Sequence, residues 1–445
     1  MSAVRVGLGY PCRSGSKIAY VPCAVKVGTA HARNASIVVH GPASMIVAFS
    51  LPAMGHTKPM MPLLKGLIAR SERVVCFGHR KFEAIIRASG ATFEPYPDVP
   101  YDIDRPDFNL VRMAADLIRA SETIVPALQP RIKALAPRLI LQDFMALWAS
   151  RIGSALGIPR IQTVPTIVFN REAERQMRQE DGVFKLVSDV VRGAPTLARE
   201  LVRSRFAVTV REAFGLERCW CRLRPPIAEI VFSLEEFQAG SPHGDVARHY
   251  IGPSYDDPRD YEPTGMHGYA LITFGTLSNN DTGRFEAALR GSFLAGRSAV
   301  VVCGGSKVDI RRLEEVGRSL QRSHPGLTSH IIESVPALER WICGAAVVVH
   351  HAGTSTTWET VRYRKPALFI PTIADQKVFA SLLAAHGYGI RLPRGCEHDA
   401  QAIARGINEA MSLDDRWDAI ERRLRLAGGA AFGAEIVLAA MESGR

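Results

Sequence analysis

The chain has 445 residues, 47% of them hydrophobic and 22% charged, and a formal net charge of +11. That length exceeds one hydrophobic core and points to two or three domains of an ordinary globular protein. No apolar run reaches the ~18–20 residues of a bilayer-spanning helix, and no basic cluster is interleaved with stacking aromatics, so the sequence argues against an integral membrane segment and against nucleic-acid binding.

The charge is uneven. Arg5, Arg13, Lys17, Lys26 and Arg33 fall in residues 1–44, which hold no Asp or Glu, so the rest carries +6. That excess suits a diphosphate ligand. Residues 1–44 are rich in Gly, Ala and Val without helical or alternating period. They are expected to be a basic extension that is disordered or dispensable, with an accessory arm as the alternative. The cysteines at 12, 23, 76, 219, 221, 303, 343 and 396 show no CxxC and no zinc spacing. They are expected to be reduced thiols of a cytoplasmic protein.

Strand and helix patterns then alternate. Candidate strands are Ile46 to Leu51, Val74 to Phe77 and Leu139 to Leu141, with helices at Met60 to Ala69, Lys81 to Ser89 and Met145 to Leu156. Pro97 to Pro106 reads as a loop; its Asp102-Ile103-Asp104 mimics a metal-binding triplet but reads better as solvated. Glu172 to Ala213 is a long charged helical stretch, and Gly252 to Gly268 an interdomain linker. Further strands follow at Ala270 to Phe274, Ser298 to Cys303, Ser329 to Ile332, Ala345 to Val349 and Ala367 to Pro371. Gly275, Gly304, Gly305 and Gly353 fall at strand ends. Repeated β-α units imply parallel sheets covered by helices, with ligands at the carboxyl ends of the strands.

The densest chemistry lies in His350 to Gln376, HHAGTSTTWETVRYRKPALFIPTIADQ. A buried strand ends in two histidines, small hydroxyl residues and a glycine, and a helix follows. Backbone N–H groups and a helix N-terminus make an anion site. Asp375 and Gln376 can accept and donate hydrogen bonds together, which suits vicinal sugar hydroxyls. Phosphate and sugar together suggest a nucleotide-sugar.

This stretch resembles the donor-binding signature of the UDP-glycosyltransferase superfamily, through His351, Gly353, Thr356, Glu359, Pro371, Asp375 and Gln376. SLPAMGHTKPMMPLLKGL (Ser50 to Leu67), RVVCFGHRKFEAIIRASGATFEPYP (Arg73 to Pro97), PRLILQDFMALWASRIGSALGIPRIQTVPT (Pro137 to Thr166), VFSLEEFQ, YIGPS and LITFGT resemble its macrolide-glycosyltransferase-like branch in order. The resemblance spans about Met45 to Leu392 and is weak from Asn170 to Arg224.

The resemblance implies a GT-B fold: two Rossmann-like parallel-sheet domains facing across a cleft. Residues 45–250 would bind the acceptor and 251–445 the donor, with the last helix able to return to the first domain. The stretch from Glu172 would lie beside the acceptor cleft. His56, in a Gly-His turn after the first strand, would be the general base, oriented by Asp143. Thr276 and Ser306 would lie near the diphosphate, and His351 would contact a phosphate oxygen. Ser355 and Thr356 would supply donors and Glu359 would bind the ribose. The family's base-stacking aromatic is replaced by Ser334, so base contact would rest on the Val335 backbone. Donors of the UDP or dTDP class both stay open.

The expected function is inverting transfer of a hexose, UDP-glucose being the expected donor, to a hydroxyl of a small lipophilic acceptor such as a natural product. No metal and no cofactor are expected, the nucleotide-sugar being a co-substrate, and the protein would be a monomer or homodimer. The alternative is a non-catalytic homologue that activates another transferase.

Overall fold

The computed structural model describes residues 44–98, 109–204, 223–240, 244, 246–255, 264–275, 280–305, 308–413 and 416–443. Its first sheet contains β1 (Met45–Phe49), β2 (Arg73–Gly78), β3 (Thr92–Pro95), β4 (Leu139–Asp143), β5 (Arg160–Val164), β6 (Ala228–Val231) and β7 (Ala247–Tyr250). All pairings are parallel and the order is β3-β2-β1-β4-β5-β6-β7. Helices α1 (Met54–Ile68), α2 (Glu83–Ala88), α3 (Leu110–Leu135), α4 (Leu147–Leu156) and α5 (Arg171–Arg203) connect or flank these strands.

The second sheet contains β8 (Tyr269–Thr273), β9 (Ala299–Val302), β10 (Ser329–Ile332), β11 (Ala345–His350), β12 (Ala367–Phe369) and β13 (Ile390–Arg391). It is also wholly parallel, in the order β10-β9-β8-β11-β12-β13. Its helices are α6 (Thr282–Leu294), α7 (Ile310–Ser323), α8 (Glu339–Gly344), α9 (Thr354–Arg362), α10 (Ala374–Ala385) and α11 (Ala400–Met411), followed by α12 (Trp417–Ala427) and α13 (Gly429–Ser443).

The apolar runs explain this layering. In β1 (MIVAF), successive side chains point to opposite faces, and Ile46 to Phe49 are all fully buried. Ile46 and Ala48 pack with α1 residues Met60, Leu63 and Leu64, while Val47 and Phe49 pack with Leu117 of α3 and Trp148 of α4. A strand covered on both faces needs no polar alternation. A separate apolar cluster joins the two sheet systems: Ile167, Met177 and Phe237 pack with Trp358, Phe369 and Phe379. Phe237 is its hub, with its ring 5.5 Å from that of Trp358 and 5.8 Å from that of Tyr388.

Several elements differ from the sequence expectations. Helix α1 starts at Met54 rather than Met60, so His56 sits in a helical first turn and not in a preceding turn. Pro59 and Pro62 lie inside this helix, where local preference argues against them. Burial of both prolines with Met60, Met61, Leu63 and Leu64 overrides that preference. Helix α3 holds Pro126 and Pro130 and was hidden for the same reason. Strands β3, β5, β6, β7 and β13 were also not anticipated; each has two to five residues, too short to show a period. By length and composition alone, Trp417–Ser443 could cross a membrane, contrary to the expectation that no stretch would. However, Gly428 breaks it in the left-handed conformation, and Ala434, Val437 and Met441 of α13 pack against the core beside α1.

Candidate active site

Each sheet reverses its strand order once, between β1 and β4 in the first and between β8 and β11 in the second. Crevices form at such points because the flanking connections leave in opposite directions. Both crevices are lined by residues singled out in the sequence.

At the first, α1 carries His56 and β4 ends in Asp143. His56 Nδ1 lies 2.8 Å from Asp143 Oδ2. The other carboxylate oxygen accepts the Met145 N–H at 2.9 Å. Asp143 is fully buried and His56 retains 11% side-chain exposure. The imidazole stacks on Phe144 at 5.8 Å. Burial opposes a charge on His56, but the Asp143 charge and hydrogen bond, aided by Asp375, outweigh it and raise the imidazole pKa above its ordinary value. With Nδ1–H donated to Asp143, Nε2 is the atom available to take a proton.

At the second crevice, β11 ends at His350 and α9 begins after Gly353. His350 is structural: it is fully buried, its Nδ1 accepts the Ala352 N–H at 3.3 Å, and its ring meets Phe369 edge-on. His351 faces the glycines. A Cβ on Gly353 would lie 2.3 Å from its Nε2, and one on Gly275 would lie 2.6 Å from its Cε1. Among the described residues its buried Nδ1 meets no partner at full hydrogen-bond geometry, although the Thr273 backbone acts on the ring, and the buried Ser355 Oγ has none. Burial, with the Arg284 charge adding, pushes the His351 pKa down to about 4. A neutral imidazole is therefore presented beside the α9 N-terminus, which no side chain caps. Thr356, in the first turn of α9, is buried. Uncapped N–H groups at a helix start are anion donors. Ala352, where the family signature often has glycine, adopts φ 61°.

The donor-side residues divide. His351, Gly353, Ser355 and Thr356 come together at the start of α9. Glu359 is buried one turn further on, where burial pushes its carboxyl up to about 6 despite Lys58. Asp375 opens α10, and its charge and that of His56 act on each other across the cleft. Gln376 differs from the simple donor-acceptor role expected of it. Its Oε1 accepts from Thr372 Oγ1 at 2.8 Å and from the Thr372 and Ile373 N–H groups, so only its NH₂ remains for a ligand. Ser334 is exposed and Val335 is partly buried against the cluster around Tyr269. Thr276, Ser306 and the Asp102-Ile103-Asp104 triplet lie outside the described residues. Among the described residues, no three His, Cys, Asp or Glu side chains converge to hold a metal ion.

Sequence reasoning missed Lys58. Its Nζ donates to Glu339 Oε1 at 2.5 Å and to Glu359 Oε1 at 2.7 Å, tying α1 to α8 and α9. The available signal was a lysine two residues after His56 in an otherwise apolar run. Phe144, the platform under His56, was also missed, although it adjoins Asp143.

Two doubly wound sheets that meet at their carboxyl ends constitute the GT-B architecture of glycosyltransferases. The glycosyltransferase family 28 C-terminal domain matches residues 299–420. NDP-glycosyltransferase YjiC of Bacillus subtilis (strain 168) is 23% identical over 407 residues, 89% of this chain and 97% of its own length. Among solved structures, the glycotransferase of kitacinnamycin superposes with a TM-score of 0.68 at 21% identity, over 89% of this chain and 99% of that one. The spinosyn rhamnosyltransferase SpnG, in complex with thymidine diphosphate, gives 0.58 at 19% identity, over 89% and 99%. The chain thus has the GT-B fold of glycosyltransferases, and its residues 299–420 match the glycosyltransferase family 28 C-terminal domain.

Proposed function

We propose that the protein transfers a hexose, with inversion, from a nucleoside diphosphate sugar to a hydroxyl of a small lipophilic acceptor of the natural-product class. The observation that carries this reading is the His56–Asp143 pair at 2.8 Å, on the opposite side of the cleft from the His351 anion site. His56 Nε2 takes the acceptor hydroxyl proton as the oxygen bonds to the anomeric carbon. The bond from that carbon to the diphosphate oxygen breaks, and its electron pair leaves with the diphosphate. Asp143 holds the ring and stabilises the imidazolium. His351, Ser355, Thr356 and the α9 N-terminus receive the departing charge. Asp375 and the Gln376 NH₂ orient the sugar, and Glu359 accepts from the ribose.

One displacement inverts the anomeric centre, so an α-linked donor gives a β-glycoside. UDP-glucose is the proposed donor. A thymidine-linked deoxysugar is the second reading, favoured by the exposed Ser334 where a stacking ring would sit and by the thymidine diphosphate bound to SpnG. The assembled dyad speaks against a non-catalytic activator. The test is a donor panel with and without EDTA, reading the product anomer from its proton coupling constant. A β-product that persists in EDTA is expected; an α-product or strict divalent-ion dependence would overturn the mechanism.

A further inference from the structure

The mechanism above leaves Lys58 without a role, yet its ion pairs join the two halves of the site. Lys58 lies on α1, two residues after His56, and bonds Glu359 at 2.7 Å and Glu339 at 2.5 Å. The Glu359 side chain is only 6% exposed and that of Glu339 12%. Two carboxylates this close would repel, and one would take a proton without a cation between them. Among the described residues, half-buried Tyr255, Tyr363 and Arg362, whose guanidinium lies 4.7 Å from the Tyr255 ring, are the other titratable and charged groups acting at this point. An ionised carboxylate can accept from both hydroxyls of a ribose, whereas a protonated one gives up an acceptor site to its own proton.

We infer that Lys58 is a positioning residue for the donor: it fixes the Glu359 carboxylate for ribose recognition from the same helix that carries His56. This rests on the donor-site reading given above. The donor site and the general base are then placed by one element, so a nucleotide seated on Glu359 is in register with His56. Burial and Glu339 drive the Glu359 carboxyl toward its neutral form, and Lys58 opposes them. Removing Lys58 therefore moves protonation of Glu359 to higher pH.

The experiment is calorimetric titration of the full chain with UDP and with uridine between pH 5 and 8. K58M should weaken both ligands by a similar factor of about ten, as expected for losing a charge-assisted hydrogen-bond partner. His351→Ala should weaken UDP and leave uridine unchanged. In the unaltered protein, affinity should fall as pH drops through about 6. In K58M that fall should begin at higher pH, and K58R should restore its original position. Should K58M fail to fold, K58Q carries the same expectation. K58M that binds like the unaltered protein, or binds weakly with the pH limb unmoved, would overturn the inference. Failure of the unaltered protein to bind UDP or dTDP would instead overturn the donor reading itself.

Discussion

In the proposed mechanism His56 and Asp143, 2.8 Å apart, act as a unit, and their replacement should show it. His56→Ala should lower transfer by about 10²–10⁴ while leaving nucleotide affinity nearly unchanged, because the anion site lies on the other sheet. The double change to alanine should be no worse than the worse single one, since neither residue has a use without the other. The pH dependence has a definite sign. The proposed base works unprotonated, so on that mechanism activity should fall as pH drops through the His56 pKa, which stands above its ordinary value. Asp143→Asn removes the charge that raises it, so the acid limb of kcat/KM should move to lower pH even as the rate drops. Steric precision matters equally at Gly353. Its φ of −64° suits any residue, so Gly353→Ala leaves the backbone unstrained. The added methyl would instead lie 2.3 Å from His351 Nε2 and displace the ring. Donor KM should rise at least about tenfold with the melting temperature little changed. A donor KM equal to that of the unaltered protein would remove His351 from the phosphate site.

At the scale of elements, α5 runs from the first sheet's side of the cleft to α10, carrying Glu180. Arg391 of β13 reaches Glu180 with both terminal nitrogens, at 2.8 and 2.6 Å. The Arg391 bonds lower the Glu180 pKa, outweighing its partial burial. A depressed carboxylate contributes stability that is full above its unfolded value and lost as pH falls through the folded one. Protection of the amides over residues 171–180, relative to their intrinsic exchange rates, should therefore fall as the pH drops below the ordinary glutamate range. In Arg391→Met it should already be low at neutral pH. Unchanged protection in that variant would show that apolar packing alone docks α5. The sequence revealed α5 as a charged helical stretch, because 33 residues hold several helical periods. It could not show Glu180 meeting Arg391, which follows more than two hundred residues later.

At the scale of the whole molecule, the apolar cluster centred on Phe237 draws side chains from both sheet systems. Phe237 is 1% exposed and its ring meets those of Trp358, Phe379, His386 and Tyr388. Phe237→Ala should cost about 3–5 kcal/mol. The loss falls where the two sheet systems join, so calorimetry should show separate transitions in the variant and one in the unaltered protein. A single transition at unchanged temperature would mean that the halves are held together elsewhere.

The sequence by itself determined the elements whose signals are local. The Val-rich strands β9 and β11 and the turn from His350 into α9 are written in consecutive residues. Asp143 could be proposed because it follows an apolar strand and matches the partner aspartate that the family resemblance implies. The tertiary structure alone decided what depends on distant partners. Local preference argues against proline inside α1, and only burial against the sheet starts that helix before His56. Gln376 looks like a sugar ligand in the sequence, but its oxygen is taken by the Thr372 hydroxyl and the Thr372 and Ile373 N–H groups just before its own helix. Lys58 looks like a surface charge until α8 and α9 bring two carboxylates to it. Backbone preference acts over a few residues, whereas burial and charge act through space, so the second kind of information appears only once the chain is folded.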